Sequence, residues 1–328
     1  MREEASVTCA SRVPTFGSAE VRVEISRNTI EELKRLAPGR VLLDEPMARH
    51  TSFGLGGPAD IYVEPPSPES FRACSACLDE AGLPVMLLGR GTNVLVRRGG
   101  IDGAVLSSAG AFSEIERTGD MVRAGSGVGL GRLIDFCAES GLKGLEALSG
   151  IPGSVGGAVV TNAGSFGTSI ADSLLAIRAS RAGEEPLSIT AGELDLGYRE
   201  AHLPQGMTIE DVELRLEPDA PDSIKERKRS VLERKWKAQP SGMRSAGCVF
   251  KNPAGRSAGQ LIDSSGLKGM RVGGAVVSDL HANFILNDRG ATADDVEELV
   301  ALVRDRVLET SGTELELEIE IAGRRVTT

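Results

Sequence analysis

Two short apolar runs in this chain each feed directly into a glycine-rich turn, and a third such turn follows close behind. Pro84 to Leu88 runs into Gly89-Arg90-Gly91-Thr92-Asn93, and Val122 to Ala124 runs into Gly125-Ser126-Gly127-Val128-Gly129. Next come Gly150-Ile151-Pro152-Gly153-Ser154-Val155-Gly156-Gly157 and, shortly after, Asn162-Ala163-Gly164-Ser165-Phe166-Gly167. Glycine admits positive φ and lets a ligand approach the backbone without meeting a Cβ. Consecutive N–H groups can then converge on a phosphate. A single loop of this kind reads equally well as a surface turn, because glycine punctuates many loops. The succession of them points to a nucleotide-sized cofactor. No turn has the Gly-x-Gly-x-x-Gly spacing with an acidic residue about 20 positions on, and none ends in Gly-Lys-Ser/Thr. The expected cofactor fold is therefore neither of those two phosphate-binding types.

With 328 residues, 41% of them hydrophobic, the chain can bury a sizeable core and divides into two or three domains. Residues 1–44 read as an N-terminal extension without period up to about Arg27, then a lead-in helix (Ile30, Leu33, Leu36) closed by Pro38-Gly39. Residues 45–216 hold the glycine turns, a helix opened by Ser67-Pro68-Glu69 and ended by Gly82, and another from about Leu130 to Ser140. The acidic, proline-containing stretch 217–222 marks a boundary, and residues 217–328 form the second domain. There a basic helix over residues 223–238 is followed by a helix capped by Thr292, with Val296, Leu299, Val300, Val303 and Val307 at helical spacing. The closing alternation, Leu315, Leu317, Ile319 and Ile321 against Glu314, Glu316, Glu318 and Glu320, predicts a strand with one buried face.

Five cysteines, an odd number in a chain of this size, argue for a reducing, cytoplasmic setting rather than a disulfide framework. Met1-Arg2-Glu3-Glu4 lacks the basic-then-apolar pattern of a secretory signal, and no run reaches the roughly 18 apolar residues of a membrane span. A net charge of -10 speaks against non-specific nucleic-acid binding. No nucleic acid, membrane or obligate protein partner is expected.

Chemistry enters with Ser245-Ala246-Gly247-Cys248-Val249-Phe250-Lys251-Asn252-Pro253, which sets a thiol beside a cationic, hydrogen-bonding floor. A lone cysteine between small residues is more often a packing residue than a catalyst, and both readings of Cys248 stand at this point. Cys74-x-x-Cys77 has no second pair and no nearby histidine, so packing on the Phe71 face is expected rather than zinc. His281 is expected to be structural, and no metal site is visible. Lys225, Arg227, Lys228, Arg229, Arg234, Lys235 and Lys237 make the basic helix either a solvated face or, at its end, a grip on an anionic ligand.

Taken in order, the motifs resemble the UDP-N-acetylenolpyruvoylglucosamine reductase (MurB) family. The likeness is carried by Thr51-Ser52-Phe53 with Gly56-Gly57-Pro58-Ala59-Asp60, the turns at 89–95 and 150–157, Asn162-Ala163-Gly164 and Gly197-Tyr198-Arg199. It continues through the Cys248 motif to Val277-Ser278-x-x-His281-Ala282-Asn283-Phe284. It runs from about Glu45 to Gly323, and the short passage after Arg199 matches the shorter, second type. The resemblance implies an α+β protein: a two-part FAD-binding α/β domain of the vanillyl-alcohol-oxidase/MurB type plus a C-terminal α/β substrate domain. It also implies reduction of the enolpyruvyl ether of UDP-N-acetylglucosamine, with non-covalent FAD and with NADPH as co-substrate. Cofactor binding falls to Gly89, Arg90, Gly91, Thr92, Asn93, Ile151, Pro152, Gly153, Ser154, Gly156, Gly157 and Gly164.

Hydride addition to the terminal enolpyruvyl carbon builds negative charge on its neighbour, which calls for a cation and a hydrogen-bond donor there. The resemblance gives these roles to Arg199 and to a protonated Glu318, with Glu316 as the alternative because Leu317 replaces a proline in the aligned motif. Cys248 takes the proton-donor position that many members fill with serine. A thiol with an ordinary pKa of about 8.5 releases a proton more readily than an alcohol. Tyr198, Phe166, Asn252, Lys235 and Lys237 fall where the family meets the UDP-sugar, Phe166 replacing a tyrosine. Two other readings differ in class: an alcohol or sugar oxidase, many of which tether flavin to a histidine or cysteine in the first glycine loop, and a flavin-binding regulator with a dead site.

Overall fold

The computed structural model describes residues 25–326, so most of the unpatterned N-terminal stretch lies outside it. Ser26 opens the first helix, Arg27–Leu36, by accepting the Thr29 N–H on its Oγ at 3.0 Å, which satisfies one of the donors a helix start leaves free. Leu33 is its buried anchor. The helix docks on Pro68–Glu80, which is capped by Ser67 and carries proline in its first turn, and Ser70 Oγ donates to Leu36 O at 2.7 Å. Phe71, Cys74 and Leu78 of the second helix meet Ile61, Val63, Ala104 and Leu106 beneath. Each fully buried Leu or Phe side chain of this kind contributes about 1.5–3 kcal/mol. Cys74 and Cys77 thus belong to a packing face.

Those last residues come from a four-stranded sheet in the order Val41–Pro46, Pro58–Val63, Ile101–Ser107, Val85–Leu88. The first pair is antiparallel and the others parallel. A second sheet has five antiparallel strands, Leu187–Thr190, Leu174–Ser180, Thr208–Arg215, Met121–Gly125 and Ile115–Thr118. The helices Leu130–Glu139 and Val155–Val160 share its core through Leu130, Leu133, Ile134, Val155 and Val159. The third region centres on the helix Ala293–Ser311, whose capping box joins Thr292 and Asp295 and whose expected apolar stripe is buried. It packs on a small sheet, Arg271–Val272, Ala275–Val277 and Ile285–Asn287. Phe53, Leu55 and Leu95 reach into this third core from the first part of the chain.

The final segment departs from the sequence expectation. Only Glu320–Ala322 is a regular strand, parallel to Val94–Val96; Leu317 makes an isolated bridge to Phe250. A bend at residues 318–319 separates the two pairings, so the glutamates do not share one solvated face. Glu314 and Glu316 point outward to Arg304 and Lys251, at 3.3 and 2.6 Å. Glu318 and Glu320 turn into a cavity instead.

The basic helix, Pro221–Ala238, buries Ile224 and Lys235 and makes ion pairs with its neighbours. Arg227 meets Glu146 and Asp219 at 2.8 and 2.7 Å, and Lys228 pairs with Asp135. Two of its seven basic residues, Arg227 and Lys228, therefore dock the helix onto acidic neighbours. Among the described residues no helix is long and apolar enough to cross a membrane.

Candidate active site

The first and third glycine turns interlock. At Gly91, φ is +60° and a Cβ would sit 1.9 Å from His50 O, so no other residue fits there. Gly89 leaves room for Ser154 Oγ, which a Cβ would approach to 2.5 Å. Ser154 in turn caps the helix Val155–Val160, its Oγ accepting the Gly157 N–H at 3.2 Å. Thr92 Oγ1 donates to Pro152 O at 3.3 Å and closes the junction. Together the turns form one wall of a cavity of about 710 Å³, within the size range of ligand and cofactor sites. Residues 89–93, 151–154, Gly156, Gly157 and Gly164 all line it.

The second turn behaves differently. A Cβ on Gly125 would lie 2.5 Å from Phe112 O, and one on Gly127 2.3 Å from Ser108 O, so these glycines let chain pack on chain. Only Ser126 from this turn reaches the cavity, where its Oγ is buried without a hydrogen-bond partner. A backbone cradle with an unpaired hydroxyl on its wall fits an elongated, phosphate-bearing cofactor such as FAD.

Charged and polar side chains make up another part of the lining. The hairpin Asp195–Gly197/Glu200–His202 turns through Tyr198 and Arg199, and Arg199 takes a left-handed φ of +62°. A non-glycine residue held there costs about 1–3 kcal/mol and persists only where its surroundings fix it. Asn162 supplies part of that hold by donating from Nδ2 to Gly197 O at 2.7 Å. Arg199 Nε lies 3.0 Å from Glu318 Oε1, close enough for an ion pair but not aligned as a hydrogen bond, so this buried N–H lacks an acceptor. Burial raises the Glu318 pKa, against a downward pull from Arg199 and a smaller one from Lys251.

Cys248 lies between them in sequence and shares the same wall, bridging to Phe284 and packing on Val276 and Leu286. Burial, reinforced by the Glu318 charge and opposed by Arg199, pushes its thiol up to about 12 rather than leaving it near its ordinary value. Lys235 is buried too, its Nζ donating to Ser149 O at 2.7 Å. Burial first, then the Arg199 charge, brings it down to about 8. Phe166 lines the cavity with Arg234 stacked on its ring at 4.0 Å, and Asn252 lines it while its Oδ1 accepts the Ala258 N–H at 2.9 Å.

Three of the side chains singled out in the sequence stand away from the cavity lining. Lys237 lies outside the cavity, exposed, because two residues carry it some 200° around the helix from Lys235. Tyr198 is 54% exposed and stands outside the lining, its ring 5.5 Å from the Arg199 guanidinium. Lys251 is not a cationic floor: it turns to Glu316 at 2.6 Å and Glu200 at 3.7 Å. That pairing leaves Glu318, not Glu316, as the cavity carboxyl beside Arg199. Sequence reading missed Ser126, Glu320 and Asn283 as lining residues. Asn283 clamps Phe250 through both its N–H and its C=O, at 3.0 and 2.8 Å, a signal present only in its motif.

Comparison with known proteins agrees with this geometry. Residues 59–187 match the family model described as FAD binding domain, and residues 239–322 match UDP-N-acetylenolpyruvoylglucosamine reductase, C-terminal domain. The enzyme named UDP-N-acetylenolpyruvoylglucosamine reductase from Geobacter sulfurreducens is 45% identical over 293 residues, covering 87% of this chain and 95% of that one. The chain belongs to the UDP-N-acetylenolpyruvoylglucosamine reductase family. The Alkaliphilus oremlandii enzyme of the same name is 43% identical over 284 residues, covering 86% and 93%. The crystal structure of the Thermus caldophilus reductase superposes with a TM-score of 0.74 at 39% identity, covering 86% of this chain and 97% of that one. Like the family, the chain is an FAD-dependent oxidoreductase of α+β fold. It reduces UDP-N-acetylglucosamine enolpyruvate to UDP-N-acetylmuramate with NADPH, a step of peptidoglycan precursor synthesis.

Proposed function

We propose that the two walls divide the work of this reductase: the glycine wall holds FAD, and Arg199, Cys248 and Glu318 act on the enolpyruvyl group. The chemistry FAD supplies when bound is relay of a hydride from NADPH to the terminal enolpyruvyl carbon. Arg199, with a buried Nε short of an acceptor, pairs with the substrate carboxylate and stabilises the charge that spreads into it. Glu318 takes the donor's role beside Arg199: burial moves its pKa upward and so favours the protonated form, against the pull of Arg199 and Lys251. Cys248 is fully protonated at neutral pH and gives its proton to the carbon next to the one that takes hydride. The C=C bond thus gains one hydride and one proton, and NADPH leaves as NADP⁺.

Phe166, Asn252 and Lys235 are assigned to the UDP-sugar, Lys235 as the pyrophosphate partner, with Tyr198 at the rim. Residues 45–216 and 217–328 are taken as the two domains, after a lead-in of 1–44; the family matches fall inside them. The reading extends to a cytoplasmic enzyme that needs no nucleic acid, membrane or obligate protein partner, supported by the -10 charge and the odd cysteine count.

The observation that carries the proposal is that residues 199, 248 and 318 line the same cavity as the glycine turns. Its test is Cys248→Ala beside Cys248→Ser in anaerobic rapid mixing. The alanine variant should still be bleached by NADPH, yet lose about 10²–10⁴-fold in turnover on the enolpyruvyl substrate, while serine restores most of it. Unchanged turnover in the alanine variant would remove Cys248 from the mechanism.

A further inference from the structure

Glu318 is pinned from both sides of its Cα. Its N–H donates to Val249 O at 2.8 Å, next door to Cys248. Its C=O accepts from Asn93 Nδ2 at 3.1 Å, across 225 residues of sequence. Asn93 is the last residue of the first glycine turn, and its own carbonyl accepts the Glu320 N–H at 2.9 Å. Val94 then begins the strand that pairs in parallel with Glu320–Ala322. The amide orientation is fixed by chemistry: turning Oδ1 toward Glu318 O would set two acceptors against each other.

The resemblance placed Asn93 among the cofactor-binding residues. The structure commits one of its side-chain N–H groups to the protein, while Asn93 still lines the cavity. Resting on the reading of Glu318 as the acidic donor, we propose that Asn93 is a positioning residue: it splices the flavin turn to the peptide that carries the carboxyl. The two peptide groups flanking the Glu318 Cα set the direction in which the side chain leaves the backbone. With the Asn93 amide removed, the Glu318 carbonyl can rotate, and the carboxyl loses its aim relative to Arg199 and the substrate. A misplacement of about 1 Å in such a group can cost on the order of 10²-fold in rate.

The test is a double-mutant cycle on the flavin-loaded enzyme with Asn93→Ala, Glu318→Gln and the combination. Asn93→Ala should slow reoxidation of the reduced flavin by the enolpyruvyl substrate about tenfold to a hundredfold. It should add nothing on top of Glu318→Gln. A readout independent of turnover is amide hydrogen exchange of residues 318–322 in the holoenzyme, which should speed up in Asn93→Ala and stay at the wild-type level in Glu318→Gln. Additive losses in the cycle, with Glu318→Gln itself impaired, would overturn this inference and leave the carboxyl's role intact. A fully active Glu318→Gln enzyme would remove the carboxyl reading and this inference with it. If alanine sheds the flavin, Asn93→Ser carries the same cycle; flavin lost from both variants would show Asn93 to be a cofactor residue first and overturn the proposal.

Discussion

Where the glycine turns line the cavity the surface is mostly backbone, contributed by two short stretches that are each continuous in sequence. Elsewhere charged or polar side chains join the lining from positions 199, 235, 248 and 318, delivered by a hairpin, a helix end and two extended segments. The glycine side works by clearance: what matters is the Cβ that is missing. The other side works by charge held out of water, and each of its groups shifts the next. Arg199 alone pulls Glu318 and Cys248 down in pKa and pushes Lys235 in the same direction by repulsion. Spacing is enough to encode clearance, whereas mutual electrostatics needs the folded chain.

The sharpest way to separate the two kinds of wall is Arg199→Gly. It removes the cation but relieves the left-handed backbone, so kcat should fall about 10²–10³-fold. Thermal stability should hold or rise by up to about 1 kcal/mol. Steady-state kinetics and a melting curve on the same sample check both, and a large loss of stability would contradict the account of the hairpin tip.

Gly91→Ala tests the other wall. It should cost about 1–3 kcal/mol of stability and loosen the flavin, seen in a melt and in the flavin content after gel filtration. An alanine variant with wild-type stability and full flavin would break the clearance argument. A smaller, signed effect is expected for Lys251→Gln. That cation favours the ionised form of Glu318, so its removal raises the carboxyl's pKa and lets it keep its proton to higher pH. The basic limb of the pH–rate profile should therefore move up; a downward move would reverse the proposed protonation state. The smallest effect belongs to Lys237→Ala, which should leave KM for the sugar nucleotide unchanged and alter stability by no more than about 0.5 kcal/mol.

The same contrast decides how much of the molecule could be read in advance. Helix starts such as Thr292, or Ser67 with Pro68, are local chemistry and stood out in the sequence. So did the glycine turns, although spacing could not tell that Gly127 clears a carbonyl of its own chain while Gly153 borders the cavity. Glu318 was invisible as physics, one glutamate in an alternating row, and emerged only through a resemblance between motifs. The bend at residues 318–319 that separates it from Glu316 depends on a change of pairing partner, from Phe250 to Val94, that no local pattern announces. Lys251 misled for a similar reason: its partners, Glu200 and Glu316, lie 51 and 65 residues away.

The burial of Cys248 has a consequence for the lifetime of the enzyme. Peroxides and electrophiles attack thiolate, not thiol. A group pushed up to about 12 exposes only about one thiolate in 10⁵ molecules at pH 7. Flavins are a source of peroxide when oxygen intercepts their electrons, so a cysteine at such a centre is exposed to damage that a serine would escape. The apolar backing of Val276, Phe284 and Leu286 thus disfavours the thiolate, the form that enters the first rung of the oxidation ladder, and with it guards the proton that the proposed reaction uses.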